Sequence, residues 1–279
     1  MVEAFVPKNL EECLLRLNHN DYEIVAGGTD ALIQNRSHTS MPIGFKKPVI
    51  YLSLLEDLKY IRQIDNRIHI GANISLESIL ESEITPKILK DIIIEMASPA
   101  IRHTATLAGN ICNASPAGDS LVGLYLLDAL LEVQSYQNKR YVLLKDFITG
   151  VRRIDLLKNE MITEIIIPNL DFTDCYFRKV GPRLSDAISK LSFAGAYKLE
   201  ANIIKDIRLA FGAVNTTVVR NKEIEKKYIN KLVSDLKNNV ENLVKLYEPF
   251  IKPIDDQRSN KEYRKEICFN LIREFVDKI

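Results

Sequence analysis

Two glycine-rich stretches carry the residue types best suited to holding an anionic ligand: Ile24-Val25-Ala26-Gly27-Gly28-Thr29-Asp30, and the run from Thr104 to Asp119, TATLAGNICNASPAGD. Glycine lets a backbone approach a ligand closely and adopt positive φ, and successive backbone N–H groups in such loops form anion-binding concavities. Thr29, Thr106 and Ser115 add neutral donors. Neither stretch contains a lysine, so neither reads as a nucleoside-triphosphate loop; two neutral, donor-rich loops fit a diphosphate held from both sides. No G-x-x-x-x-G-K-[ST] and no G-x-G-x-x-G follows the first strand pattern, which leaves a P-loop or a Rossmann fingerprint unsupported. Taken alone, Gly27-Gly28 reads equally well as a plain strand-to-helix turn. The second stretch is harder to reduce to a turn, because it strings small, hydroxyl, Asn and Asp residues together before the apolar, helix-like run Leu121 to Leu131. Ordered loops of that length are often functional.

The elements that must position these loops follow from periodicity. Asn9-Leu10-Glu11-Glu12 has the form of a capping box, opening a helix with Leu10, Leu14 and Leu17 on one face. Tyr22 to Val25 is a short strand ending at the first loop, Asp30 to Asn35 a helix start, and Val49 to Leu52 a second strand. This β-α-β unit places its loop at the C-terminal end of a strand, where open α/β sheets bind ligands. Asp65-Asn66 joins Tyr60–Ile64 to Arg67–Gly71 as a hairpin. Thr85-Pro86 reads as a cap and first helical residue for a helix to about Ala97. Leu121 to Leu131 passes into a strand over Glu132 to Tyr136, and Ile162 to Ile167 is a strand stopped by Pro168. The pattern then changes. Tyr176–Val180, Phe193–Glu200 and Ile203–Gly212 read as three strands of one antiparallel sheet, with helices over 222–248 and 260–277, an α+β arrangement in two layers.

The chain has 279 residues, 46% hydrophobic and 27% charged, with a formal net charge of +1. That balance gives no electrostatic footprint for nucleic acid or an anionic membrane. No run approaches membrane-spanning length and no secretory signal pattern opens the chain, so a cytoplasmic location is expected. Cys13, Cys112, Cys175 and Cys268 form no ligand spacing, and no metal site is expected on this chain. Cys13 and Cys268 fall on apolar helix stripes and read as core residues. Cys112 lies within the second stretch, where it either packs under the loop or approaches a ligand. His103 is the one histidine near that stretch and reads as a packing residue.

These motifs resemble those of the flavoprotein subunit of molybdenum hydroxylases, the family of the xanthine dehydrogenase FAD subunit and the carbon monoxide dehydrogenase medium subunit. The resemblance rests on Ala26-Gly27-Gly28-Thr29-Asp30, on Thr106-Leu107-Ala108-Gly109-Asn110 with Asn113 to Ser120, on Phe177 to Asp186, and on Asp255-Asp256-Gln257-Arg258-Ser259 with Tyr263-Arg264. It covers nearly the whole chain. It implies a two-part FAD-binding domain of the PCMH type over 1–170, made of the N-terminal βαβ unit and a mixed α/β part. An α+β C-terminal domain over 171–279, with the three-stranded antiparallel sheet and helices, would follow. It also implies that Ile24, Val25, Ala26, Gly27, Gly28, Thr29, Asp30 and Ala31 wrap the FAD diphosphate from one side, and that Ala105, Thr106, Gly109 and Asn110 face it from the other. Asp119 would meet polar groups of the cofactor, Ile162 the adenine part, and Lys179 the flavin ring, where a cation stabilises the reduced anion. Read from its strand alone, Lys179 is also compatible with an ordinary surface lysine. Two departures from the family pattern are Ala108, where glycine is frequent, and Asp155, where threonine is.

By the same resemblance the molybdenum cofactor sits on a large partner subunit and two-iron clusters on a small one, in a hetero-oligomer, with a homodimer of heterotrimers as one arrangement. Electrons would reach FAD on this chain and leave to NAD or another acceptor, and no catalytic acid or base is required of it. A face bearing Lys179 and Arg183 would adjoin a subunit interface. The alternative is a flavin-binding carrier or assembly module without turnover of its own.

Overall fold

The computed structural model describes residues 2–36, 38 and 40–279. The chain divides into two compact units that are interleaved in sequence. One comprises Met1–Thr85, Ala97–Ala114 and Asp128–Pro168; the other comprises Pro86–Met96, Ser115–Leu127 and Asn169–Ile279.

The first unit holds two main sheets. A parallel sheet runs in the order Ala4–Phe5, Val49–Tyr51, Glu23–Val25, which is the expected β-α-β unit with helix Ala31–Gln34 after the first loop. Asn9 caps helix Leu10–His19 by accepting from the Glu12 N–H at 2.9 Å. The Glu12 carboxylate accepts from Lys8 N–H rather than from Asn9. The second sheet is antiparallel and five-stranded, in the order Ile61–Ile64, Arg67–Gly71, Met161–Pro168, Leu130–Gln134, Lys139–Leu143. Asp65 turns the expected hairpin with φ 52°.

Three expectations along this stretch are corrected. The apolar run 121–131 is not one helix: the helix is Asp119–Leu126, Asp128 turns with φ 55°, and the strand begins at Leu130. Apolar periodicity cannot separate a buried helix from a buried strand that follows it directly. Thr85 is not a cap, because its hydroxyl donates to the Ile79 carbonyl at 2.6 Å and helix Lys87–Ile94 starts without a side-chain cap. The second glycine-rich stretch is not an extended loop, since Leu107–Asn113 within it is helical, preceded by the short helix Pro99–Arg102. Small residues there gain helix through burial of Leu107, Ala108 and Ile111, a tertiary effect that overrides propensity.

The second unit is built on an antiparallel sheet in the order Asp174–Val180, Leu191–Glu200, Ile203–Gly212, Val219–Arg220. It adds a short fourth strand to the three expected. Both faces are covered. On one, Gly212 lies against Val122 of helix Asp119–Leu126. On the other, Gly195 leaves room for the Phe275 ring, which a Cβ there would meet at 2.5 Å, and Phe193 and Phe211 pack beside it. The helical region 222–248 is divided into three short helices, Lys222–Lys226, Val233–Asn238 and Val240–Tyr247. Cys268 is fully buried on helix Lys261–Lys278, as its stripe implied, and Cys13 likewise on its own helix.

The closing motif is a clamp on that last helix. Asp256 Oδ1 accepts from Arg264 Nη2 at 2.6 Å, Arg258 N–H at 2.8 Å and Ser259 N–H at 3.2 Å, while Asn260 caps the helix through Tyr263 N–H. The Arg264 guanidinium, aided by the backbone donors, holds the Asp256 carboxyl at about 2, below its ordinary 3.8. A depressed carboxylate stabilises the fold above its unfolded pKa, and that contribution is lost as pH falls through the folded value. Thermal melts are therefore expected to drop between about pH 4 and pH 2 in part through this group. Asp256→Asn should flatten that limb and remove about 1–2 kcal/mol at neutral pH. An unchanged acid limb in the variant would show that the clamp does not titrate.

Candidate functional site

In the first unit the two glycine-rich stretches touch through their backbones. A Cβ on Gly27 would lie 2.6 Å from the Thr104 carbonyl carbon and 3.0 Å from Ala105 Cα, and closer still to the Thr104 oxygen. Gly27 is thus required by close approach, and Gly28 by conformation, at φ +70°. The Gly28 carbonyl then accepts from Leu32 N–H at 3.0 Å, which starts helix Ala31–Gln34. Opposite, Thr106 caps helix Leu107–Asn113 by accepting from Gly109 N–H at 3.0 Å. Ala108 is helical, so its extra methyl meets no positive-φ requirement.

This junction stands between two clefts. The first, about 440 Å³, is walled by Ile24, Ala26, Leu52, Gly109, Met161 and Ile162, so it joins both stretches to the strand Met161–Pro168. It is largely apolar, with Asp21, Lys47 and Lys158 among its polar lining residues. Cys112 also lines it, and burial pushes its thiol up to about 12, which makes it a neutral wall residue. The second cleft, about 420 Å³, shares Ala26 and Gly27 with the junction and is more polar than the first, with Lys59, Ser75, His103, Thr104 and Thr106 in its lining.

Of the residues expected at the site, Ile24, Ala26, Gly109 and Ile162 share the apolar cleft, and Ala26, Gly27 and Thr106 line the polar one. Val25 is a buried core residue of its strand. Asp30 and Asn113 are linked by Gln34, whose amide donates to Asp30 Oδ2 at 2.6 Å and Asn113 Oδ1 at 3.0 Å. Arg152, at φ 52°, also donates to Asn113 Oδ1. Leu52, Met161 and Arg152 carried no motif signal, whereas Cys112 was marked by its place in the second stretch. Asp155 is held by Arg140 at 2.7 Å.

Asp119 and Lys179 belong to the second unit, and they form one cluster. Lys179 Nζ lies 3.0 Å from Asp119 Oδ2 and donates to the Glu95 carbonyl at 2.8 Å; both side chains are only 7% exposed. Lys179 is therefore not a surface lysine, and its third N–H has no partner among the described residues. Ser189 donates to Asp119 Oδ1 at 2.6 Å, a partner that no sequence motif marked. Asp119 is the first residue of its helix and makes no cap; the cap position is Gly118. Arg183 folds back onto the Ser185 and Asp186 carbonyls of its own turn, so Leu184, fully exposed, is the residue that projects from it.

The chemistry of the first unit fits an adenine dinucleotide: an apolar cleft for a base beside neutral backbone and hydroxyl donors for a diphosphate. In the second unit, the ammonium with an uncommitted N–H fits a group that gains negative charge.

Comparisons with known proteins agree. Residues 1–170 match the family described as the FAD binding domain in molybdopterin dehydrogenase, and residues 176–279 the CO dehydrogenase flavoprotein C-terminal domain. The chain is 30% identical over 263 residues to the glyceraldehyde dehydrogenase medium chain of Sulfolobus acidocaldarius, covering 93% of this chain and 92% of that one. It is 34% identical over 211 residues to the nicotinate dehydrogenase FAD-subunit of Eubacterium barkeri, covering 71% and 69%. In fold it is similar to a chain of quinoline 2-oxidoreductase from Pseudomonas putida 86, with a TM-score of 0.89 at 19% identity over 100% of this chain and 96% of that one.

Proposed function

The chain belongs to the FAD-binding medium subunits of molybdenum hydroxylases, an oxidoreductase family, and from that premise we propose that it is the electron-exit subunit of a xanthine dehydrogenase-like enzyme. Electrons would enter from two-iron clusters on a small partner subunit, having left substrate at a molybdenum cofactor on a large one, and leave to NAD or another acceptor. The FAD-binding domain spans 1–170 and the C-terminal domain 171–279. The working assembly on this reading is a cytoplasmic hetero-oligomer, with a homodimer of heterotrimers as one arrangement.

The observation that carries this reading is the backbone contact of Gly27 with Thr104 beside an apolar cleft. A bound flavin supplies the exchange between single electrons and an electron pair. The chain's residues supply binding and tuning. Ile24 to Ala31 and Ala105, Thr106, Gly109 and Asn110 present donors to the diphosphate without adding charge. Ile162 and Met161 offer the base an apolar wall. Asp119 orients the cofactor's polar groups, and Lys179 favours the reduced, anionic ring by electrostatics. No side chain here needs to move a proton to a substrate.

The test is spectroscopic. The purified subunit is expected to carry a visible flavin band that NADH bleaches without oxygen. A bound flavin that NADH leaves oxidised would replace NAD by another acceptor or favour a carrier role, and protein that takes up no FAD would overturn the reading.

A further inference from the structure

The Asp119–Lys179 pair is completed by a group outside the glycine loops. Ser189 is 1% exposed and lies two positions before the strand Leu191–Glu200, at the end of the turn that begins at Gly181. Its hydroxyl donates to Asp119 Oδ1 at 2.6 Å while Lys179 holds Oδ2 at 3.0 Å. Each carboxylate oxygen therefore has one donor, and the two donors differ in charge.

We propose that Ser189 is a positioning residue for the cofactor: it pins one oxygen of Asp119 so that the carboxylate meets Lys179 through the other oxygen alone, which keeps the third ammonium N–H available to the flavin. This rests on the reading of Asp119 and Lys179 as cofactor-facing. The physical reason is geometric. A carboxylate with a free second oxygen turns to engage an ammonium more fully, and a buried oxygen without a donor is unfavourable. A neutral hydroxyl blocks that rotation without adding a second cation. The cluster then keeps one acid and one base, and its cation, not enclosed by its own counter-charge, would stabilise negative charge on a bound ring. The same bond ties the start of the strand Leu191–Glu200 to the helix Asp119–Leu126, so the position of the ammonium is set by the sheet as well as by its own strand.

The test is a double-mutant cycle on FAD binding to apoprotein, with the flavin midpoint potential as a second readout. Ser189→Ala is expected to raise the FAD dissociation constant about tenfold and to move the potential downward. Ser189→Cys, close in size but a weak donor, is expected to behave like Ser189→Ala, and it stands in if alanine fails to fold. Because Ser189 acts through Asp119, adding Ser189→Ala to Asp119→Asn should change affinity little further. Additive losses, wild-type binding and potential in Ser189→Ala, or full function in Ser189→Cys would each overturn the proposal. If Asp119→Asn itself binds FAD as tightly as wild type, the cofactor-facing reading of the cluster fails as well. If Asp119→Asn binds weakly but Ser189→Ala does not, this inference alone fails.

Discussion

Replacing Gly27 by alanine is expected to leave a protein that purifies almost without FAD, with affinity reduced at least about a hundredfold, and to destabilise the fold by about 1–3 kcal/mol. The added Cβ would overlap the Thr104 carbonyl and lie 2.6 Å from its carbon. The obstacle is backbone, which cannot rotate away as a side chain can, so the two stretches must part. Gly28→Ala meets a different penalty. Its φ of +70° is strained for alanine, and its new Cβ would meet only Leu32 and Val25 side chains, at 3.1 Å and beyond. The loss there should be nearer the roughly 1–2 kcal/mol of a left-handed residue. At Gly109 a Cβ would meet just the Thr106 hydroxyl, at 2.9 Å, so Gly109→Val is expected to fold as apoprotein and lose cofactor. FAD content after purification, read beside thermal melts, separates the cases. A Gly27→Ala protein that keeps its full complement of flavin would rule out the junction as the diphosphate seat, and full retention by Gly109→Val would remove the second stretch from it.

The other large effect is expected at Asp119. Asp119→Ala removes the counter-charge of an ammonium that is 7% exposed and leaves the Ser189 hydroxyl without its acceptor. Breaking a buried pair from one side costs about 3–5 kcal/mol, because the remaining charge stays desolvated. Asp119→Asn keeps an oxygen for each donor to share and should cost less. Loss of a helix cap plays no part, since Gly118 holds the cap position and makes no side-chain bond. Lys179→Met, which keeps most of the volume, should lower the flavin potential. Denaturant midpoints of the apoproteins give the ordering; a change of under about 1 kcal/mol in Asp119→Ala, the size expected of a surface pair, would mean that the pair is solvated in solution.

The glycine geometry of the candidate site was legible in the sequence because its requirements are local. Gly27 and Gly28 stand where a backbone must come close or turn left-handed, and only glycine does both without strain. The β-α-β unit, the Asp65-Asn66 hairpin and the three long strands of the second sheet were readable from periodicity and turn residues, because each pattern repeats over neighbouring positions. Tertiary structure alone decided the rest. It turned the second glycine-rich stretch into helix by burying Leu107 and Ile111, and it split the apolar run after Asp119 into helix and strand. It gathered Leu52 and Met161 around one cleft beside Cys112, although Leu52 and Met161 each read as an ordinary apolar residue when taken alone. It also drew the segments Pro86–Met96 and Ser115–Leu127 into the C-terminal compact unit. That exchange brings Asp119, Lys179, Glu95 and Ser189 together, from positions far apart in the chain. Local propensity acts over a few residues, whereas a buried charge must find its partner wherever folding places one.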